Sequence, residues 1–283
     1  TVEVTYVLDS LAKRMSFANL SAGTRLDPDT TQTQSTVNTS LTAILDEGEF
    51  RILPGENVTL DAEVTFTAAN DRPNVAVQNA KLGGVNDKVL VCDADLAHAT
   101  MTASFADKYP DRFYNFGIAE SNMAGIAAGM AAVGFKPICH TFGPFASRRC
   151  YDQVFMSAGY AFNDITMIGS DPGVTAAYNG GTHMPFEDVA MYRALPGATI
   201  IDVTDTAMLQ DILKKVIELK GVKYLRMSRK SNDLMYEAGS EFEIGKGVVV
   251  REGKDATIIA CGIMVGKAMK AAAALAEKGI DCA

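Results

Sequence analysis

The sequence predicts an α/β protein with a parallel sheet covered by helices, and three observations carry that prediction. Short apolar runs alternate with longer helical stretches from about residue 87 to residue 227. The runs are apolar at successive positions and bounded by turn residues, as strands buried on both faces are. The connections between them are long enough to hold crossover helices.

Taken in order, the elements fall into three regions. Before about residue 70 the chain is polar and Thr-rich, as in "LDPDTTQTQSTVNTSLTAILDEGEF" (26–50), and "NVTLDAEVTFTA" (57–68) alternates like a strand exposed on one face. Residues 1–69 therefore read as β or irregular, with no assigned role. From 70 to 232 the predicted strands are "DKVLVCDA" (87–94), "KPICHTF" (136–142), "DITMIGS" (164–170), "ATIIDV" (198–203) and "VKYLRM" (222–227). The predicted helices are "ESNMAGIAAGMAAV" (120–133), "FASRRCYDQVFMSAG" (145–159), "FEDVAMYRAL" (186–195) and "TAMLQDILKKVIELK" (206–220). "SNDLMYEAGSEFEIGKG" (231–247) reads as a linker, after which "ATIIACG" (256–262) and "VGKAMKAAAALAEKG" (265–279) open another β-α unit. That unit is too short to enclose a core, so residues 233–283 read as a linker and the beginning of a truncated C-terminal α/β domain.

Composition excludes several classes of function. A net charge of −8 and a pI near 5.0 argue against a broad basic surface for nucleic acid or anionic lipid, though a few local Arg or Lys residues can still meet a small anion. Five cysteines without a C-x-x-C pair and three scattered histidines signal neither a zinc site nor a disulfide framework. No apolar run is long enough for a membrane span and the first residues lack a signal peptide's order, so a cytoplasmic location is expected. The N-x-S/T triplets at Asn19, Asn38 and Asn57 read as chance in a Thr- and Asn-rich segment. Neither G-x-G-x-x-G after a strand nor a P-loop is present, which disfavours a Rossmann dinucleotide site.

Four stretches could carry chemistry. Glu120 stands at the mouth of a helix of Ala, Gly and Met whose small residues let another backbone approach; a carboxylate there is either a cap or a functional group. Phe142 and Phe145 flank a Gly-Pro turn at a strand's C-terminal end, where open α/β sheets collect ligands, and could stack on a flat heterocycle or simply fill core. "GVTAAYNGGTHMPFED" (173–188) is a Gly- and Thr-rich loop carrying His183, either a ligand contact or a structural hydrogen bonder. Arg229, after the last strand of the sheet, suits phosphate recognition or solvation equally.

In order and spacing, "DADLAHATMT", "FYNFGIAESNMAGIAAGMAAVGFKP", "HTFGPFASRRCYDQ", "GVTAAYNGGTHMPFEDVAMYRALPG" and "YLRMSRK" resemble the pyrimidine-binding domain of transketolase-like enzymes that use thiamine diphosphate. The resemblance runs from about Arg72 to Lys230, and "IGKGVVVREGKDATIIACG" resembles the start of that family's C-terminal domain. It implies that Glu120, in "GIAE", hydrogen-bonds the ring nitrogen of the cofactor's aminopyrimidine, a contact that readies its exocyclic nitrogen to act as a base. It further implies that Phe142 and Phe145 flank the aminopyrimidine, that His183 approaches the substrate hydroxyls, and that Arg229 grips the substrate phosphate. Asp95 falls on the family's acidic position after the first strand, and Arg72 on an upstream phosphate-binding position.

One departure and one absence qualify the resemblance. Where the family reads G-E-D-G, this chain reads Ala177-Tyr178-Asn179-Gly180, so the Asp that contacts the donor sugar is replaced by Asn179, which can donate as well as accept. The G-D-G…N motif that holds the diphosphate through Mg²⁺ does not occur here. The expectation is therefore the C-terminal-type subunit of a split transketolase, assembled as a dimer or heterotetramer with an N-terminal-type partner that supplies the diphosphate domain and most of the Mg²⁺ site. Its substrates would be sugar phosphates between which a two-carbon ketol unit moves. Alternatives are a 1-deoxyxylulose-5-phosphate synthase-like or 2-oxoacid dehydrogenase-like carboligase subunit, and a non-catalytic scaffold or degenerate subunit.

Overall fold

The computed structural model describes residues 82–230 and 232–283, together with the backbone of three strands nearer the start. Two compact units divide the chain, Thr1–Asn70 and Asp71–Ala283. In the first, β1 (Val2–Asp9), β2 (Arg14–Ala22) and β3 (Asn57–Ala62) form an antiparallel sheet in the order β2-β1-β3. The hairpin register runs from Val2↔Ala22 to Asp9↔Arg14, with a shift between Thr5 and Tyr6. The second half of the stretch read as a strand at 57–68 lies outside the described residues.

In the second unit six parallel strands form one sheet: β4 (Val89–Asp93), β5 (Phe113–Asn115), β6 (Lys136–Phe142), β7 (Thr166–Ser170), β8 (Thr199–Asp202) and β9 (Lys223–Met227), in the order β5-β4-β6-β7-β9-β8. Every residue of β4 and β7 is buried, as unbroken apolar runs require when helices cover both faces. Alternate residues feed two cores. Val91, Ile138, Ile168 and Leu225 pack with α4 (Thr206–Val216) on one face; Cys92, Cys139, Met167 and Tyr224 pack with α2 (Glu120–Ala132) on the other. The remaining labelled helices are α1 (Ala103–Lys108), α3 (Asp188–Arg193) and α5 (Met264–Ala276). In α4, Asp205 caps the start by accepting from the Met208 N–H, and Lys214 and Lys215 close the last turn, the arrangement that the helix dipole favours.

Three expectations need correction. The segment 145–159 is not one helix: turns at Gly143–Ala146 and Tyr151–Gln153 lead into a π-helical turn at Val154–Tyr160. The break falls at Ser147, whose hydroxyl bonds back to the Gly143 carbonyl at 2.7 Å while its backbone leaves the helical region. Strand β5 was not anticipated, because a three-residue, largely exposed edge strand is too short to show periodicity. Residues 256–262 form no strand: among the described residues the ladder contact there is the single bridge Ala256↔Cys282, and an apolar run without a partner ladder does not become a strand.

Candidate functional site

The sheet order places the site. From β4 the chain moves out to β5 and returns on the opposite side of β4 to form β6, so a crevice opens beyond the carboxyl ends of these strands. The segments leaving β4, β6, β7 and β9 carry Asp95, Phe145, His183 and Arg229 respectively.

Phe142, Phe145 and His183 form one aromatic cluster. Ring centroids lie 6.0 Å apart for the two phenylalanines, 5.2 Å for Phe142–His183 and 5.1 Å for Phe145–His183, all edge-to-face. Gly143 permits this meeting: a Cβ there would come within 2.5 Å of Pro185 Cγ, so only glycine lets the loop carrying His183 close onto the turn after β6. Thr182 Oγ1 lies 2.9 Å from His183 Nδ1.

Glu120 opens α2 and is 1 % exposed. It does not act as a cap: the N-cap residue is Ala119, and no side chain caps that end. Oε1 accepts from Arg149 Nη1 at 2.8 Å, whereas Oε2 is buried with no partner among the described residues. Arg149 also lies on Phe145, its guanidinium carbon 3.8 Å from the ring centroid. The carboxylate and the aromatic cluster therefore share one wall. Beneath Glu120, burial and the neighbouring carboxylate push the Cys150 thiol up to about 12, which keeps it protonated and inert.

Arg229 is tied into the protein. Its Nε and Nη2 donate to Asp171 Oδ2, its Nη1 donates to the Ala99 carbonyl at 3.2 Å, and its guanidinium carbon lies 4.3 Å from the Phe142 centroid. One N–H on each terminal nitrogen is left for an anion. Asp95 is exposed and holds a positive φ of 62°; the buried carboxylate of that strand is Asp93. Asp93 accepts from Leu96 N, Thr100 Oγ1 and Thr102 Oγ1 at 2.6, 2.8 and 2.8 Å, fixing the loop that presents Ala99 to Arg229. Burial still raises the Asp93 carboxyl above the usual range, against the pull of those hydrogen bonds. Asn179 is exposed in the His183 loop, and Arg72 lies outside the described residues.

Sequence reasoning missed Arg149, Asp171 and His140. Nothing in "SRRCY" separates Arg148, which pairs with Glu187 at 2.8 Å, from Arg149, which reaches Glu120. His140 is 1 % exposed with both ring nitrogens unpartnered among the described residues, and burial, reinforced by the charge on Arg229, lowers it to about 3. The register pairs it with Asp93 across β4 and β6.

Comparison with known proteins fits this geometry. Residues 76–233 match the family described as transketolase, pyrimidine binding domain, and residues 245–283 match transketolase, C-terminal domain. The chain is 44 % identical over 195 residues to the "6-deoxy-6-sulfo-D-fructose transketolase subunit SqwH" of Clostridium sp. (strain MSTE9), covering 69 % of this chain and 61 % of that protein. It is 38 % identical over 203 residues to the "Putative transketolase C-terminal section" of Methanocaldococcus jannaschii, covering 71 % of this chain and 64 % of the relative. The chain thus spans under two thirds of the length of both curated relatives. A solved structure titled "Split gene transketolase, inactive beta4 tetramer" superposes with a TM-score of 0.68 at 37 % identity, over 74 % of this chain and 68 % of that one.

Proposed function

We propose, from the premise that this chain belongs to the transketolase family, that it is the C-terminal-type subunit of a two-chain transketolase moving a two-carbon ketol unit between sugar phosphates. The observation that carries the reading is the Glu120 carboxylate, buried and linked through Arg149 to the Phe145 ring of the aromatic cluster, with Oε2 unpartnered among the described residues. A buried carboxyl oxygen without a partner near aromatic rings fits a flat heterocycle whose ring nitrogen can share a proton with it, so these residues suit the aminopyrimidine of thiamine diphosphate.

When bound, that cofactor supplies the nucleophilic carbon and the electron sink needed to cleave a bond beside a ketose carbonyl. The chain's own residues then have distinct tasks. Glu120 holds a proton between Oε2 and the heterocycle's ring nitrogen. Phe142 and Phe145 exclude water and fix the ring plane. His183 and Asn179 face the substrate hydroxyls, Asn179 as a neutral donor and acceptor where the family carries a carboxylate. Arg229, with the N–H groups Asp171 leaves free, draws in the substrate's anionic group, and Asp95 and Arg72 complete the substrate side.

On this reading residues 70–232 are the pyrimidine domain and 233–283 the linker and the opening of the C-terminal domain. Among the described residues no cluster of three His, Cys, Asp or Glu side chains could hold a metal ion. On this reading, which rests on the missing G-D-G…N motif, Mg²⁺ and the diphosphate belong to an N-terminal-type partner, in a dimer or heterotetramer. We read the setting as cytoplasmic, and the net charge of −8 speaks against nucleic-acid or anionic-membrane partners; separately, no described helix is long and apolar enough to cross a membrane.

Gentle purification from the native cells with Mg²⁺ present, followed by native mass spectrometry, tests the reading. A second chain together with bound thiamine diphosphate supports it; a chain that stays alone and empty after cofactor is added overturns it. Xylulose 5-phosphate and 6-deoxy-6-sulfofructose, the sugar in the Clostridium relative's name, are the donors to compare first.

A further inference from the structure

Arg149 lies over the Phe145 ring and against the Glu120 carboxylate, the two groups that a flat heterocycle would meet here. Its Nη1 donates to Glu120 Oε1 at 2.8 Å and its guanidinium carbon stands 3.8 Å from the Phe145 ring centroid. A guanidinium and an aminopyrimidine both present a planar π face, so the two compete for the Phe145 ring and for the space against the Glu120 carboxylate.

The contact is also incomplete. Arg–carboxylate pairs at full strength are two-bond forks, but here a single nitrogen meets a single oxygen, and Oε2 is left buried without a partner. A buried carboxyl oxygen left unpartnered costs free energy that an incoming ring nitrogen sharing a proton with it recovers. The Arg149 side chain is 42 % exposed, against 1 % for Glu120, so the arginine lies over the carboxylate from the solvent side and can withdraw without opening the core. Its backbone stays fixed, because Ser121 Oγ donates to the Arg149 carbonyl at 2.7 Å and ties the start of α2 to this segment.

We propose that Arg149 is an internal competitor for the heterocycle: its guanidinium plugs the site in the free chain and is displaced from Phe145 and Glu120 when the aminopyrimidine enters. The proposal rests on the reading of Glu120 as the pyrimidine's partner. It makes the affinity of the site an exchange, one planar group for another, so that removing the first strengthens binding of the second.

The test is calorimetric titration of the full chain with thiamine, which carries the pyrimidine and no diphosphate. Arg149→Met and Arg149→Gln remove the plug by different chemistry, and their unfolding midpoints establish that each is folded. Both variants are expected to bind thiamine at least tenfold more tightly than the unaltered chain. No gain in either folded variant, including no binding by any of the proteins, overturns the proposal. Glu120→Ala added to Arg149→Met separates the two levels of the argument. Binding that is sensitive to Glu120 but not improved by the Arg149 changes sinks the plug alone; binding indifferent to Glu120 sinks the reading of the site beneath it.

Discussion

Arg229 and Asp171 are joined at three points: the Arg229 Nε and Nη2 reach Asp171 Oδ2 at 2.9 and 2.5 Å, and the Arg229 backbone N–H donates to Oδ1 at 3.1 Å. Asp171 is fully buried and holds a left-handed φ of 62° at the end of β7. The pair crosses from β7 to β9, so the cation facing the crevice is held by the sheet itself.

Asp171→Asn keeps a side chain that tolerates the left-handed conformation but removes the buried charge. Breaking a buried pair from one side is expected to destabilise the protein by about 3 kcal/mol. Urea unfolding at neutral pH measures it, and a loss under about 0.5 kcal/mol would show that the fork contributes little.

On the proposed function, Glu120→Ala is expected to lower ketol transfer by the complex with its partner about 100- to 10,000-fold, the range for a positioned proton-transfer group. The helix should persist, since Glu120 caps nothing. Steady-state rates beside circular dichroism check both halves, and activity within tenfold of the unaltered enzyme contradicts the assignment.

His140 makes stability depend on pH. Its folded value, about 3, lies below the ordinary 6.5, so between these values the unfolded chain binds the extra proton. Stability is therefore complete above about pH 6.5 and lost as pH falls towards 3, with a limiting slope near 1.4 kcal/mol per pH unit for one proton. His140→Met removes the titrating group and both unpartnered nitrogens. Unfolding midpoints measured from pH 4 to 7 should flatten in that variant; an unchanged slope would place the dependence elsewhere.

Gly169→Ala tests how closely β7 is packed. A Cβ there would run into the Tyr224 hydroxyl and ring, and Tyr224 cannot retreat: it stacks on Tyr192 with centroids 4.0 Å apart and donates to buried Asp188 at 2.8 Å. Overpacking of this kind is expected to cost about 1–3 kcal/mol, read as a lowered thermal midpoint.

By itself the sequence determined the alternation of strand and helix, and its motifs, read through the family resemblance, singled out Glu120, Phe142, Phe145, His183 and Arg229 as candidates. All of these are written locally, in periodicity and in the order of short motifs. Only the tertiary structure decided which charged groups meet. Asp171 and Arg229 are 58 residues apart, and Glu120 and Arg149 are 29 apart. Each pair is joined by strand order and by the direction in which a side chain leaves its strand or turn. Among the described residues, the same long-range packing left both His140 nitrogens without partners and ended the ladder at residue 256 after one bridge. A residue's hydrogen-bonding capacity is fixed by its type, but whether a partner arrives depends on chain segments that no local pattern encodes.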